Sequence, residues 1–192
     1  MIYILRHGQT AKNKAKSLQG RSNDPINDDG IKQARKVAEW FRQQGIVFDV
    51  IYSSPLKRAI DTGKIVAADA PVILDERLIE MDYGPYEGMD LMNPAPEIVT
   101  FFSDFVNNPA PEGMEPLSEV VKRAGQFMED IKGEVKGKNV LISTHAIAMK
   151  GILESLTPDS KGSYWSTFIG NCAVYKTEIA GGSYSIPREE II

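Results

Sequence analysis

The chain has 192 residues, 22 Lys plus Arg against 26 Asp plus Glu, and a formal net charge of −4. Hydrophobic residues at 42% and charged residues at 25% belong to a folded globular chain rather than a disordered one, and one domain spanning 1–192 suits that length. The net acidity excludes a general nucleic-acid coat, whose phosphate contacts need an excess of Lys and Arg. The single cysteine, Cys172, excludes an internal disulfide and a multi-cysteine zinc site. No apolar run approaches the ~20 residues of a membrane span. Met1 leads straight into a short apolar run, too short for the core of a secretion signal, so a soluble cytoplasmic protein is expected.

That run, residues 2–5, reads as the first strand. Ile31, Ala34, Ala38 and Phe41 then share one face at helical spacing, which predicts a helix over about 29–44, capped by Asn27 or Asp28 and closed by Gly45. Residues 48–52 read as the next strand. Ser53, Ser54 and Pro55 have the form of an N-cap followed by Pro at the first helical position, opening a helix to about Ala68. A short strand at 72–74 follows. Six of the eleven prolines fall between 82 and 116. That stretch reads as a lid, with a short helix over about 97–106 whose Val99, Phe102 and Phe105 recur at helical spacing. A helix over about 117–135, an apolar strand at 140–143 and a helix over about 146–156 come next. Strands at 172–179 and 184–186 flank Gly181 and Gly182 as a terminal hairpin, with Cys172 in the core. Strands alternating with helices predict an α/β fold with a mostly parallel sheet between two helical layers.

The chain has only two histidines, His7 and His145, and each lies just past the carboxyl end of an apolar strand. Ligand crevices of open α/β sheets lie at such ends. Arg6 precedes His7, and Arg58 lies beyond a third strand end, so three ends deliver two imidazoles and two guanidiniums toward one crevice. Singly, such a histidine is more often structural; two of them, each followed by a small residue, favour a site. Gly8 lets backbone approach a ligand closely. Guanidinium forks and imidazoles suit an oxyanion better than a metal, and a phosphate monoester needs several cations around it. A neutral imidazole can itself act as a nucleophile.

The motif Arg6-His7-Gly8-Gln9-Thr10, with Asn13 following, resembles the signature of the histidine phosphatase superfamily, which includes the cofactor-dependent phosphoglycerate mutases. The runs Ser53-Ser54-Pro55-Leu56-Lys57-Arg58-Ala59-Ile60-Asp61-Thr62, Leu78-Ile79-Glu80-Met81-Asp82-Tyr83-Gly84 continuing to Glu87-Gly88, and Ser143-Thr144-His145 resemble its later blocks, in family order. The resemblance implies a phosphoglycerate mutase-like fold with a lid at about 82–116. It implies that His7 accepts the phosphoryl group, that Arg6, Arg58 and His145 bind its oxygens, and that Glu80 is the general acid and then the base for water. Asn13, Gln19, Gly20 and Ala146 match positions lining the phosphate pocket; Ala146 departs from the family's usual Gly, and Asn27 replaces a usual Thr. No metal or other cofactor is implied.

Residues 78–121 hold nine acids and no Lys or Arg, which leaves +5 on the rest of the chain. Such a lid would repel a second anionic group, so a hydrolase acting on a small phosphorylated metabolite with a neutral, aromatic or cationic leaving group is expected. A phosphoglycerate mutase is the alternative, and an inactive phosphoester-binding protein the second alternative. The expected partner is a small-molecule phosphate ester, with neither nucleic acid nor membrane, and a homodimer is left open.

Overall fold

The computed structural model describes residues 1–192. In chain order its elements are β1 (Ile2–Arg6), α1 (Ala11–Lys14), α2 (Asp28–Gln43), β2 (Val50–Ser53), α3 (Lys57–Val66), β3 (Val72–Leu74), α4 (Pro96–Ser103), α5 (Leu117–Ile131), β4 (Val140–Thr144), α6 (Ala146–Leu156), α7 (Ser163–Ser166), β5 (Val174–Thr177), β6 (Ile179–Ala180), β7 (Ser183–Tyr184) and β8 (Arg188–Glu190). Six strands form one sheet in the order β3-β2-β4-β1-β5-β8. The four strands from β3 to β1 run parallel, while β5 and β8 are antiparallel to their neighbours.

Period-two alternation along the strands supplies two cores. Ile2, Ile4, Tyr52, Val140 and Ile142 pack with Phe127 and Met128 of α5 and Met149 and Ile152 of α6. Tyr3, Leu5, Ile51 and Leu141 face the other way, onto Ala34, Val37 and Phe41 of α2. The sheet is therefore covered on both faces, as its near-continuous apolar strands require. A third cluster lies beyond the strand ends, where Met81, Ile98, Phe101 and Met114 of the lid pack on Leu18, Val120, Ile147 and Trp165.

Several local readings need correction. The helix over Lys57–Val66 starts later than Ser54 suggests, with Leu56 at its N-cap and no side-chain cap; Ser54 bonds a histidine instead, as described below. In α4 the buried pair is Ile98 and Phe101, while Val99 points to solvent, because Pro96 sets the first turn and the helix ends at Ser103. Phe105 lies past that end and packs edge-on against Phe101 at 4.9 Å. The helix α5 stops at Ile131, short of Gly133. Cys172 is buried but takes a positive φ in the turn before β5, outside the strand. The terminal hairpin is the brief pair β6 and β7, and β5 belongs to the main sheet.

Candidate active site

Strands β1 and β4 are central neighbours, with Arg6 in register with Thr144. His7 and His145 follow those two residues, and the His7 amide donates to Thr144 O at 2.9 Å. Their rings stand 5.1 Å apart, centroid to centroid, and both are buried.

The hydrogen bonds determine where each ring carries its proton. His7 Nδ1 is 2.8 Å from Gly8 O, and a carbonyl only accepts, so Nδ1 holds the hydrogen. Nε2 is left with its lone pair, which accepts from Arg58 Nε at 3.2 Å. His145 Nε2 is 2.7 Å from Ser54 Oγ, and that oxygen already accepts from Leu56 N at 3.3 Å. A hydroxyl oxygen can accept twice, but the Ser54 Oγ–H has no other acceptor within hydrogen-bond distance, so its hydrogen points at His145 Nε2 and the ring proton falls on Nδ1. That Nδ1 is buried without a partner, and so is Arg6 Nε.

Burial, reinforced by Arg6 and Arg58, holds the His7 imidazole well below its ordinary pKa. Burial and then Arg58, His7, Arg6 and Arg123 do the same to His145. Both rings are therefore neutral at physiological pH. Arg58 is fully buried, fixed by donation to Ser22 O at 2.6 Å and to Gly20 O. Arg6 is held by donation to Ile169 O. The site thus presents an unprotonated imidazole nitrogen held against Arg58, an unpaired imidazole N–H, an unpaired guanidinium N–H and two permanent cations, a set of groups that suits a tetrahedral oxyanion.

Glu80 is buried at the amino end of α6. Its Oε1 accepts from Met81 N at 2.8 Å and Ala148 N at 3.0 Å, and its Oε2 accepts from Ile147 N at 3.2 Å. His145 occupies the N-cap position without capping by its side chain, so Glu80 serves as the helix cap. Ala146, the first helical residue, is half-buried beside it.

The remaining sequence candidates sit around this centre with their polar atoms engaged. Asn13 Oδ1 accepts from Thr10 N and from Asn171 Nδ2, and Asn13 Nδ2 donates to Gln19. Gln19 in turn accepts from Thr10 Oγ1 and donates to Asp24. At Gly20 a Cβ would lie 2.6 Å from Glu87 Oε2, the oxygen that accepts the Gly20 and Arg21 amides. Sequence reasoning missed Ser54, hidden by its resemblance to a helix cap. It also missed Asn171, which donates to His7 O at 3.1 Å and has no motif of its own. Thr62 accepts the Gly8 amide at 2.9 Å and donates to Arg58 O at 2.7 Å. Lys150 of α6, which carries no motif in the sequence, is buried.

The acids of the lid prove less free than their count suggests. Arg21 lies 3.4 Å from Asp82 and 3.5 Å from Glu115, and Arg123 lies 2.7 Å from Glu115. Both cations come from outside the acidic stretch.

Three comparisons bear on this geometry. The family described as histidine phosphatase superfamily (branch 1) matches residues 2–190. A Hydrogenobacter thermophilus protein named for phosphoserine phosphatase activity is 29% identical over 185 residues, covering 94% of this chain and 90% of its own. A Yersinia pestis protein named as the phosphoglycerate mutase GpmB is 32% identical over 161 residues, covering 81% of this chain and 74% of its own. The crystal structure of phosphoserine phosphatase from Entamoeba histolytica in complex with 3-phosphoglyceric acid aligns with a TM-score of 0.85 at 25% identity, over 100% of this chain and 96% of that one. The chain belongs to branch 1 of the histidine phosphatase superfamily, and its enzyme class is phosphatase.

Proposed function

We propose that the chain hydrolyses the phosphomonoester of a small metabolite through a phosphohistidine on His7. The observation that carries this reading is the pair of neutral, buried imidazoles, one with an unprotonated Nε2 that rests against Arg58 Nε and the other with an unpaired Nδ1–H, beside the unpaired Nε–H of Arg6. Arg6, Arg58 and His145 bind the phosphoryl oxygens and stabilise the charge that spreads over them in transfer. His7 Nε2 attacks phosphorus, the P–O bond to the leaving group breaks, and protonated Glu80 delivers its proton to the departing oxygen. Oε2 is the oxygen with room for that proton, since it accepts one amide where Oε1 accepts two. Water then attacks the phosphohistidine while the Glu80 carboxylate takes its proton, which restores the neutral imidazole and releases phosphate. Gly20, whose amide donates to Glu87, and the Asn13–Gln19 network form the rim of the phosphate pocket, with Ala146 at its α6 side.

The test is hydrolysis of phenyl phosphate in the presence of a chelator. Turnover persists there, and His7→Ala lowers it by about 10³-fold or more. Loss of turnover with chelator, or survival of turnover in His7→Ala, overturns the mechanism. The similarity to the GpmB protein supports a second reading, a phosphoglycerate mutase. Isomerisation of 3-phosphoglycerate primed with bisphosphoglycerate and faster than hydrolysis would establish it.

A further inference from the structure

Lys150 lies on α6, four residues beyond Ala146, so it shares that residue's helix face one turn farther from the catalytic centre. It is only 8% exposed. Buried lysines are nearly always paired with a carboxylate, yet no carboxylate lies in ion-pair contact with this one. Its ammonium donates to Trp165 O at 2.7 Å and stands 5.2 Å over the ring of Phe105. One oxygen partner leaves two of its three donors unused. Beside it opens a pocket of about 600 Å³ between the end of α4 and the segment around α7, with Phe102, Phe105, Trp165 and Phe168 in its walls. That volume is in the range of small-molecule sites.

The pocket holds one acid and two cations. Asp104 is committed to its own turn, accepting from Val106 N, Asn107 N and Asn107 Nδ2, whereas Lys150 in the wall and Lys161 at the rim have no acidic partner. Phe168 is 86% exposed, an aromatic ring left in solvent at the pocket's edge. Burial holds the Lys150 ammonium down at about 8, with the charges of Glu80 and Arg6 as the next influences, which places it within electrostatic reach of the catalytic centre.

From these contacts we infer that this pocket is an anion subsite, in which Lys150 receives the carboxylate of an organic molecule whose apolar or aromatic body lies against Phe105, Trp165 and Phe168. The inference rests on the proposed phosphatase reading where the carboxylate belongs to the leaving group; a separate carboxylate ligand has the same chemistry. It departs from the expectation of a neutral, aromatic or cationic leaving group in adding an anion, while keeping the aromatic body. That expectation counted cations within residues 78–121, whereas the fold brings this one in from α6.

A matched pair of esters tests it: phenyl phosphate, and the same ester with a carboxylate on the ring. If the leaving group carries the anion, the native enzyme has a KM for the carboxylated ester about tenfold lower. Lys150→Met brings the KM ratio toward one, and Lys150→Arg preserves it. If a separate molecule carries the anion, the esters behave alike, while calorimetry shows benzoate binding that inorganic phosphate does not displace and that Lys150→Met abolishes. An ester ratio near one, together with benzoate binding that is absent or indifferent to Lys150, overturns the inference. Turnover of phenyl phosphate itself reports on the phosphatase reading, so the two failures are told apart. The ester ratio and benzoate titration on the native chain decide the matter even where Lys150→Met does not fold.

Discussion

Both histidines carry their proton on Nδ1, but to opposite effect. The Gly8 carbonyl takes the His7 proton inward and leaves the proposed nucleophile, Nε2, unprotonated against Arg58 Nε, while Ser54 makes His145 present its proton outward. Ser54→Ala removes that constraint. The expected result is a fall in kcat of about 10–100-fold, of the size seen when an orienting partner of an active histidine is lost, with Ser54→Thr recovering most of it. Nitrogen NMR of the native protein should show the Nδ1–H form of His145, and an Nε2–H form would refute the assignment. Acid stability follows from the same burial. Because both imidazoles resist protonation when folded, the unfolded chain binds protons that the folded chain does not. Stability is complete above the unfolded value of about 6.5 and falls as pH drops toward the folded values, by up to about 1.4 kcal/mol per pH unit for each histidine. Urea unfolding at about pH 7 and about pH 5.5 should register that loss, and His145→Gln should reduce it by up to half. A stability that stays flat over this interval would contradict the buried, neutral state of both rings.

At the scale of elements, Glu80 has a structural duty besides its proposed chemical one. It caps α6 from outside the helix, since residue 145 is committed to the site. Glu80→Ala is therefore expected to cost about 1 kcal/mol of stability as well as activity. Glu80→Gln keeps an acceptor oxygen, so it should lose activity by about 10²-fold or more while retaining most of the stability. Equal unfolding midpoints for the native protein and Glu80→Ala would show that the cap contributes nothing. The four parallel strands, α2 and α6 were readable because apolar runs and helical spacing mark them along their length, whereas the mostly polar β8 carries no such run. The start of α3 was not, because the serine that has the form of its cap is recruited across the sheet by His145, a long-range contact that local sequence does not encode. The register of α4 was misread for a related reason: a short helix ending at Ser103 offers two apolar stripes, and only the lid's packing selects Ile98 and Phe101.

For the whole molecule, the distribution of charge matters more than its sum. The blocks bearing His7, Arg58, Glu80 and His145 were all identifiable, because motif order survives folding. The count of acids in residues 78–121 left out the cations that Arg21, Arg123 and Lys150 bring to that stretch from elements distant in sequence. Arg123 is the main anchor, donating to Arg77 O at 2.7 Å and Ile79 O at 2.6 Å as well as to Glu115. Its bonds end one residue before Glu80. Arg123→Met is expected to destabilise the protein by about 2 kcal/mol, with Arg123→Lys recovering less than half, since only a planar fork spans a carboxylate and two carbonyls. A change below about 0.5 kcal/mol in urea unfolding would mean that the lid is held by its apolar cluster alone.

Gly8 and Gly30 meet backbone to backbone: a Cβ on Gly8 would lie 2.6 Å from Gly30 O, and one on Gly30 would lie 2.2 Å from Gln9 O. The Asn27 amide also donates to Gln9 O at 2.8 Å, and the Gly8 amide to Thr62. The loop that bears His7 is thus riveted backbone to backbone to the first turn of α2, with no side chain between to act as a cushion, and to α3 through the Thr62 hydroxyl. Its amides should exchange with solvent only when the whole protein opens, as slowly as those of β1 and β4, unlike the loop amides of most clefts. The proposed nucleophile is thereby held on a backbone clamp that side-chain rearrangement cannot loosen.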